Sequence, residues 1–189
     1  IPLFLETEDF ELINEAFEYV PRSTEQIIHP EKYASREEPV EVNVPDVSSS
    51  LGEGWAEIDR DTFGELFFRA YLESWIDAQD ASVAAEGWGG DRFALYEGPG
   101  GELALGAVTR WDTAEDAVEF FDAFRDVTQA RLDSDWEPLE DVESAFLLLG
   151  ESQAALISLV GLDVAIVLAP EDLLLPGVLQ ALRSVDDPG

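Results

Sequence analysis

The chain contains no cysteine and no methionine, one histidine (His29) and one lysine (Lys32). Without cysteine there are no disulfides, no thiolate metal ligands and no cysteine nucleophile. A Ser-His-Asp triad would have only His29 as its base. No apolar run is long enough to span a bilayer as a helix, and no secretory leader is recognisable. The chain starts at Ile1 without a methionine, so the expectation is a processed product, a fragment or a trimmed chain, any of which leaves room for a targeting segment removed upstream.

Acid is what the chain has in excess. There are 42 Asp and Glu residues against 10 Lys and Arg, for a formal net charge of −32. Such a charge opposes compaction by self-repulsion. Disorder is one escape, but it requires few apolar residues, whereas this chain is 46% hydrophobic with five tryptophans. Screening is the other, because at molar salt the Debye length falls to about 3 Å. An acidic, lysine-poor chain with a core's worth of apolar residues reads as one selected in concentrated salt. The acids are dispersed rather than blocked, which argues against a nucleic-acid mimic. Nucleic-acid binding is itself disfavoured, since phosphate contacts need clustered Lys and Arg.

The punctuation of the chain suggests a helical segment and linker over residues 1–45 and one α+β domain over 46–189. Phe10, Ile13, Phe17 and Val20 recur at helical spacing. Ser23 and Gln26 form a capping box for a short helix limited by Pro30. Val40, Val42 and Val44 alternate as an edge strand, and residues 48–52 read as a turn. Trp55–Ile58 predicts a strand. Thr62 with Glu65 caps a long helix ending near Gly87, with Phe63, Leu66, Phe67, Ala70, Tyr71 and Trp75 on its apolar face. Arg92–Glu97 and Glu102–Trp111 form a hairpin around Gly98-Pro99-Gly100-Gly101. Thr113 and Asp116 cap a helix that buries Phe120, Phe121 and Phe124. Residues 144–150, 153–160 and 163–168 are three further strands, the first central because it is apolar on both faces. A last helix covers about 172–185. Hairpins dominate and no βαβ repeat is visible, so the expected fold is an antiparallel sheet of five to six strands with helices packed on it. Phe67, Tyr71, Phe120, Phe124, Phe146 and Leu148 should lie in the core.

Candidate chemistry is sparse, and the sequence points to no cofactor, no metal-ligand set and no catalytic constellation. Glu25 and His29 stand four apart on one helix face, a spacing that could place one carboxylate and one imidazole on a metal; a structural zinc site wants more ligands, so local pairing is the simpler reading. Asp112 with Glu115 and Asp116, and Asp133 with Asp135, lack the spacing of an EF-hand loop and read as solvated acids. The string Gly87-Trp88-Gly89-Gly90-Asp91-Arg92 follows a helix instead of opening one, so it lacks the helix N-terminus that a phosphate cradle uses. It reads as a tight structural loop that tucks Trp88 inward and pairs Asp91 with Arg92.

Three strings in the same order carry a resemblance: Arg22-Ser23-Thr24-Glu25-Gln26-Ile27-Ile28-His29-Pro30-Glu31-Lys32-Tyr33, Asp61-Thr62-Phe63-Gly64-Glu65 and Gly87–Arg92. They resemble a family of haloarchaeal secreted or surface proteins and their bacterial relatives, in which an upstream domain carries a His-Glu-x-x-His helix and looks like a zinc metallopeptidase. This chain has no His-Glu-x-x-His. The resemblance implies the region downstream of that domain, with residues 1–33 a remnant of its last helices and no catalytic residue here. It implies an extracellular or cell-surface location and, as partner, the upstream domain of the same precursor or neighbouring copies of this chain. The apolar residues of 1–33 are too many for a solvated tail; they should pack on the main domain or on a neighbour, with His29 near that interface as a hydrogen-bonding group. The rival expectation is part of a metallopeptidase-like enzyme in which Glu25 and His29 line a site completed elsewhere.

Overall fold

The computed structural model describes residue 14 and residues 17–139, 144–170 and 177–180. Short helices α1 (Glu25–Ile28), α2 (Pro30–Ser35) and α3 (Ser48–Leu51) precede strand β1 (Ala56–Asp61). Helices α4 (Glu65–Glu73) and α5 (Ala78–Ala85) lead to β2 (Trp88–Glu97) and β3 (Leu103–Trp111). Helix α6 (Ala114–Leu132) is followed by β4 (Trp136–Pro138), β5 (Ala145–Leu149), β6 (Ala154–Val160) and β7 (Asp163–Ala169).

The strands form one antiparallel sheet in the order β1-β2-β3-β7-β6-β5-β4. Two meanders, β1–β3 and β4–β7, meet where β3 pairs with β7. The sheet thus has seven strands, more than the five to six expected, because the three-residue β4 carries too little pattern to be read as a strand. Helix α6 carries the chain from the middle of the sheet to its far edge. Its start is fixed by a reciprocal capping box between Thr113 and Asp116, and its buried side is Ala117, Phe120, Phe121, Phe124 and Val127.

Each sheet face has its own core. On one, α4, α5 and α6 pack Phe68, Leu72, Phe120 and Phe124 against Trp88, Trp111, Ile157 and Ile166. On the other, Val44, Val47, Leu51, Val178 and Leu179 cover Ala94, Tyr96, Leu156 and Val167. Val44 and Val47 are both 1% exposed, so the end of the N-terminal linker is a structural part of the sheet's second layer.

Several local expectations are corrected. The strand at 144–150 is not central: β5 lies next to the edge strand β4, and β7 takes the middle. Its two apolar faces reflect cover on both sides of the sheet, which reaches nearly to the edge. Residues 62–85 form two helices, not one, because Asp77 caps a new start by accepting from Gln79 N. Thr62 does not cap the first of these; Gly64 precedes α4, and the Thr62 hydroxyl donates to the Asp91 carbonyl at 3.2 Å. The helix therefore starts later, and its buried side is Glu65, Phe68 and Leu72. Leu66, Phe67 and Trp75, placed inside by periodicity, are exposed. Phe120, Phe124 and Leu148 are buried as expected, while Tyr71 and Phe146 are half-buried.

Residues 40–44 are extended but form no strand. Val40 N donates to Gly89 O at 2.7 Å, and the next acceptor along β2, Asp91 O, is already taken by Thr62. The expected turn at 48–52 is the short helix α3. Of the apolar residues in 1–33, Leu3, Phe4, Leu5, Phe10 and Ile13 lie outside the described residues, as does most of the helix expected at 172–185. Phe17, Tyr19, Val20 and Ile27 are exposed.

The two kinds of phenylalanine separate experimentally. Phe120→Ala should lower stability by roughly 3–5 kcal/mol, the cost of truncating a fully buried ring. Phe67→Ala should cost about 1 kcal/mol or less. Denaturant melts in molar salt measure both, and equal losses would contradict this packing.

Candidate functional site

The only lysine and the only histidine of the chain sit in one partly buried network. Lys32 on α2 places Nζ 2.5 Å from Glu25 Oε1, 2.5 Å from Asp112 Oδ2 and 3.0 Å from Glu37 Oε1. His29, between α1 and α2, places Nε2 2.8 Å from Glu65 Oε1. The Glu25 and Glu65 side chains are both 2% exposed. Glu25, His29, Lys32 and Glu37 belong to the N-terminal segment; Glu65 opens α4 and Asp112 follows β3. The network is thus an ionic clamp holding residues 25–37 onto the sheet domain.

Local sequence builds each half. Ser23 Oγ accepts from Gln26 N at 3.2 Å, which is half of the expected capping box; the other half is displaced, since Gln26 Oε1 accepts from Arg22 N at 2.7 Å and the residue before α1 is Thr24. Pro30 occupies the first turn of α2, where its missing N–H costs nothing. The turn places Lys32 over Glu25. Thr24 Oγ1 accepts from Leu66 N at 3.3 Å, adding a neutral contact between the halves.

The electrostatics are uneven. Burial opposes the charge on Lys32, but the hydrogen bonds it donates to Asp112, Glu25 and Glu37 outweigh it and hold the ammonium pKa above its usual value. Burial pushes the Glu25 carboxyl up, with Lys32 offsetting part of the rise. It also pushes Glu65 up against the opposing pull of His29. Glu65 Oε2 is buried and finds no hydrogen-bond partner among the described residues. The carboxylate oxygens of Glu25, Glu37 and Asp112 lie within 4.8 Å of one another, a grouping that suits a cation, and the Lys32 ammonium stands among them. Glu25 and His29 therefore meet in one network but take different partners.

The glycine-rich string lies differently from expectation. Trp88–Arg92 are the first residues of β2 and do not form a loop. Only Gly87 stands outside, at φ +77°, where a Cβ would also meet the Asp116 carboxylate at 2.5 Å. Gly90 must lack a side chain because the Val40 carbonyl lies 2.2 Å from the position of its Cβ. Trp88 is 1% exposed. Asp91 accepts from Phe63 N, Gly64 N and Trp88 Nε1 at 2.8, 2.8 and 3.0 Å, so it caps the approach to α4 instead of pairing with Arg92. Burial raises the Asp91 pKa, and these three donors counter the rise. The other acids go to local roles: Asp116 caps α6, and Asp135 accepts from Gln129.

A cleft of about 570 Å³ opens beside the clamp. The strap at residues 38–42 and Arg22–Thr24 form one wall; Thr62–Gly64 and the start of β2 form the other. Sequence reasoning missed Lys32, Glu37, Glu65 and this cleft. The solitary lysine was a usable signal, since a chain that otherwise avoids the residue keeps it at one place. Glu65 gave none, because hydropathy assigns a glutamate to the surface.

Fold and site together define an α+β protein whose seven-stranded antiparallel sheet is clamped to an N-terminal segment by buried charge. Residues 50–178 match the family described as a domain of unknown function, DUF8575, and the chain belongs to that family. The match includes Glu65, Asp112 and the Trp88–Arg92 stretch; Glu25, His29 and Lys32 precede it. No curated protein matches the sequence. Among solved structures, the crystal structure of the extracellular domain of PknH from Mycobacterium tuberculosis is similar at a TM-score of 0.48 and 13% identity, covering 77% of this chain and 94% of that one. Among the described residues, no helix is long and apolar enough to cross a membrane.

Two measurements test the clamp. Lys32→Met leaves carboxylates facing one another without their counter-charge and should cost about 3 kcal/mol, whereas Arg69→Met, which breaks an exposed pair with Glu73, should cost about 0.5 kcal/mol or less. The raised Glu25 and Glu65 pKa values mean that the folded chain holds protons the unfolded chain has released. Stability should therefore fall as pH rises from the ordinary Glu range, about 4.3, through the folded values. In constant molar salt the melting temperature should fall as pH is raised from about 4.3 toward neutrality. Glu65→Gln should flatten that slope; an unchanged slope would remove Glu65 from the account.

Proposed function

We propose that this chain is a non-catalytic binding and assembly module of a salt-adapted, exported surface protein. Its partner is the upstream domain of the same precursor or neighbouring copies of the chain. The carrying observation is the occupancy of the clamp. Lys32 is engaged by three carboxylates and His29 by Glu65, so the groups best suited to chemistry hold a helical segment in place. The dispersed −32 charge supports the high-salt setting, and the exposed Phe17, Tyr19, Val20 and Ile27 support a partner at the N-terminal end.

The alternative, part of a metallopeptidase-like enzyme, draws on the convergence of Glu25, Glu37 and Asp112. It requires Lys32 to leave, because ammonium and divalent cation compete for the same oxygens. Metal analysis of protein purified without chelator separates the readings: the module carries no stoichiometric metal, and one equivalent of zinc would favour the enzyme.

The salt-adapted reading predicts a melting temperature that falls steeply between molar and millimolar KCl, followed by circular dichroism; an unchanged value would overturn it. The assembly reading predicts, by light scattering in molar salt, a species larger than the monomer for the full chain and a monomer for a chain beginning at Val44. Monomers in both cases, with equal stability, would refute assembly through this segment.

A further inference from the structure

The cleft beside the clamp contains a guanidinium that the protein leaves unused. Six described cations are paired with acids: Arg22 with Glu38, Lys32 with Glu25, Arg60 with Glu57, Arg69 with Glu73, Arg110 with Asp163 and Arg125 with Asp122. Arg131 on α6 has no such pair among the described residues, but its Nε and Nη2 are buried in the fold, whereas Arg92 lines a cleft. Arg92 forms no ion pair among the described residues, and its one hydrogen bond, to Thr62 Oγ1, is 3.5 Å long. In a chain with 42 acidic residues and 10 basic ones, that isolation needs a physical reason.

The sheet register supplies it. Arg92 stands opposite Val108 on β3. On the other side, β1 ends its pairing at Asp61 opposite Phe93, so Thr62 is the next residue along. Neither cross-strand neighbour is acidic. The adjacent Asp91 is turned into the fold and engaged by three donors. Arg92 is thus held at the cleft with its fork of donors open.

We infer that this cleft binds a carboxylate, gripped by the Arg92 guanidinium. A guanidinium matches a carboxylate with two parallel N–H···O bonds, a geometry that a compact ammonium lacks. The volume, about 570 Å³, lies in the ordinary range for small-molecule sites, roughly 300–1,000 Å³. Phe63 supplies an apolar wall. Arg22 offers a second fork, since its partner Glu38 is 57% exposed and Arg22 itself 69%, and an exposed pair of this kind opens at little cost. Glu38 and Glu41 on the lining disfavour a polyanion, so the ligand carries a single carboxylate. A partly enclosed pair is screened less than an exposed one, which lets the site work in concentrated salt.

This inference deepens the binding-module reading and rests on it, but it fails separately, because Arg92 takes no part in the clamp. The carboxylate has two possible sources, a free small acid or the C-terminus of a peptide. The test uses the full chain, 15N-labelled, in molar KCl, so that any binding is selective over chloride. Acetate, N-acetyl-Ala-Ala and N-acetyl-Ala-Ala-amide are titrated while the Arg92 Nε–Hε resonance is followed. Saturable shifts with the two acids and none with the amide are expected. Arg92→Lys should weaken binding about tenfold or more, and Arg92→Gln should abolish it, with both variants melting as the parent does because one long hydrogen bond is lost. Equal affinities for acetate and peptide assign the site to small acids; tighter peptide binding assigns it to a chain end. No saturable shift with either acid, or undiminished binding by Arg92→Gln, overturns the inference.

Discussion

Two glutamate side chains, Glu25 and Glu65, are removed from water in a protein that already carries a large negative charge, and the N-terminal architecture follows from neutralising them. An unpaired carboxylate in such surroundings is strongly disfavoured. Lys32 supplies a counter-charge to Glu25 and His29 a hydrogen-bond partner to Glu65, and both come from the short α1–α2 turn. Placing that turn brings Thr24 against Gly64 and Leu66, carries the chain through the strap at residues 38–42, and delivers Val44 and Val47 to the second face of the sheet.

The same constraint shapes the cleft. Its N-terminal wall is the chain that the clamp secures, and its other wall is the start of β2, where Asp91 gathers the backbone N–H groups leading into α4. Clamp and Asp91 are alike in physical kind, each a buried carboxylate satisfied by several donors. They differ in reach. Asp91 organises Phe63 and Gly64 from 28 and 27 residues away, while the clamp joins His29 to Glu65 across 36 residues and Lys32 to Asp112 across 80.

Surface charge and interior packing are handled by separate parts of the chain. Among the described residues, the acids not used in caps or pairs lie largely on exposed sides of helices, in loops and on the edge strand β1, where charged side chains also discourage edge-to-edge pairing. The apolar residues meet in two layers, one aromatic under the helices and one of small side chains under the N-terminal strap. The alanines of β2, β3, β6 and β7 let the strap lie close to the sheet.

The sequence by itself determined the elements with strong local signals. The glycine-rich hairpin after β2, the Thr113–Asp116 capping box, the buried face of α6 and the three C-terminal strands were legible because turn chemistry and periodicity act over a few residues. Tertiary structure alone decided the rest. Helix α4 turned Phe68 and Leu72 inward because Asp91, from a distant strand, set where the helix begins. β5 lost the central place to β7 because strand order depends on the α6 crossover, which no local pattern records. Lys32, Glu37, Glu65 and Asp112 became one site only when remote segments met. A charged residue shows its burial in its partners, and those partners lie far away in sequence.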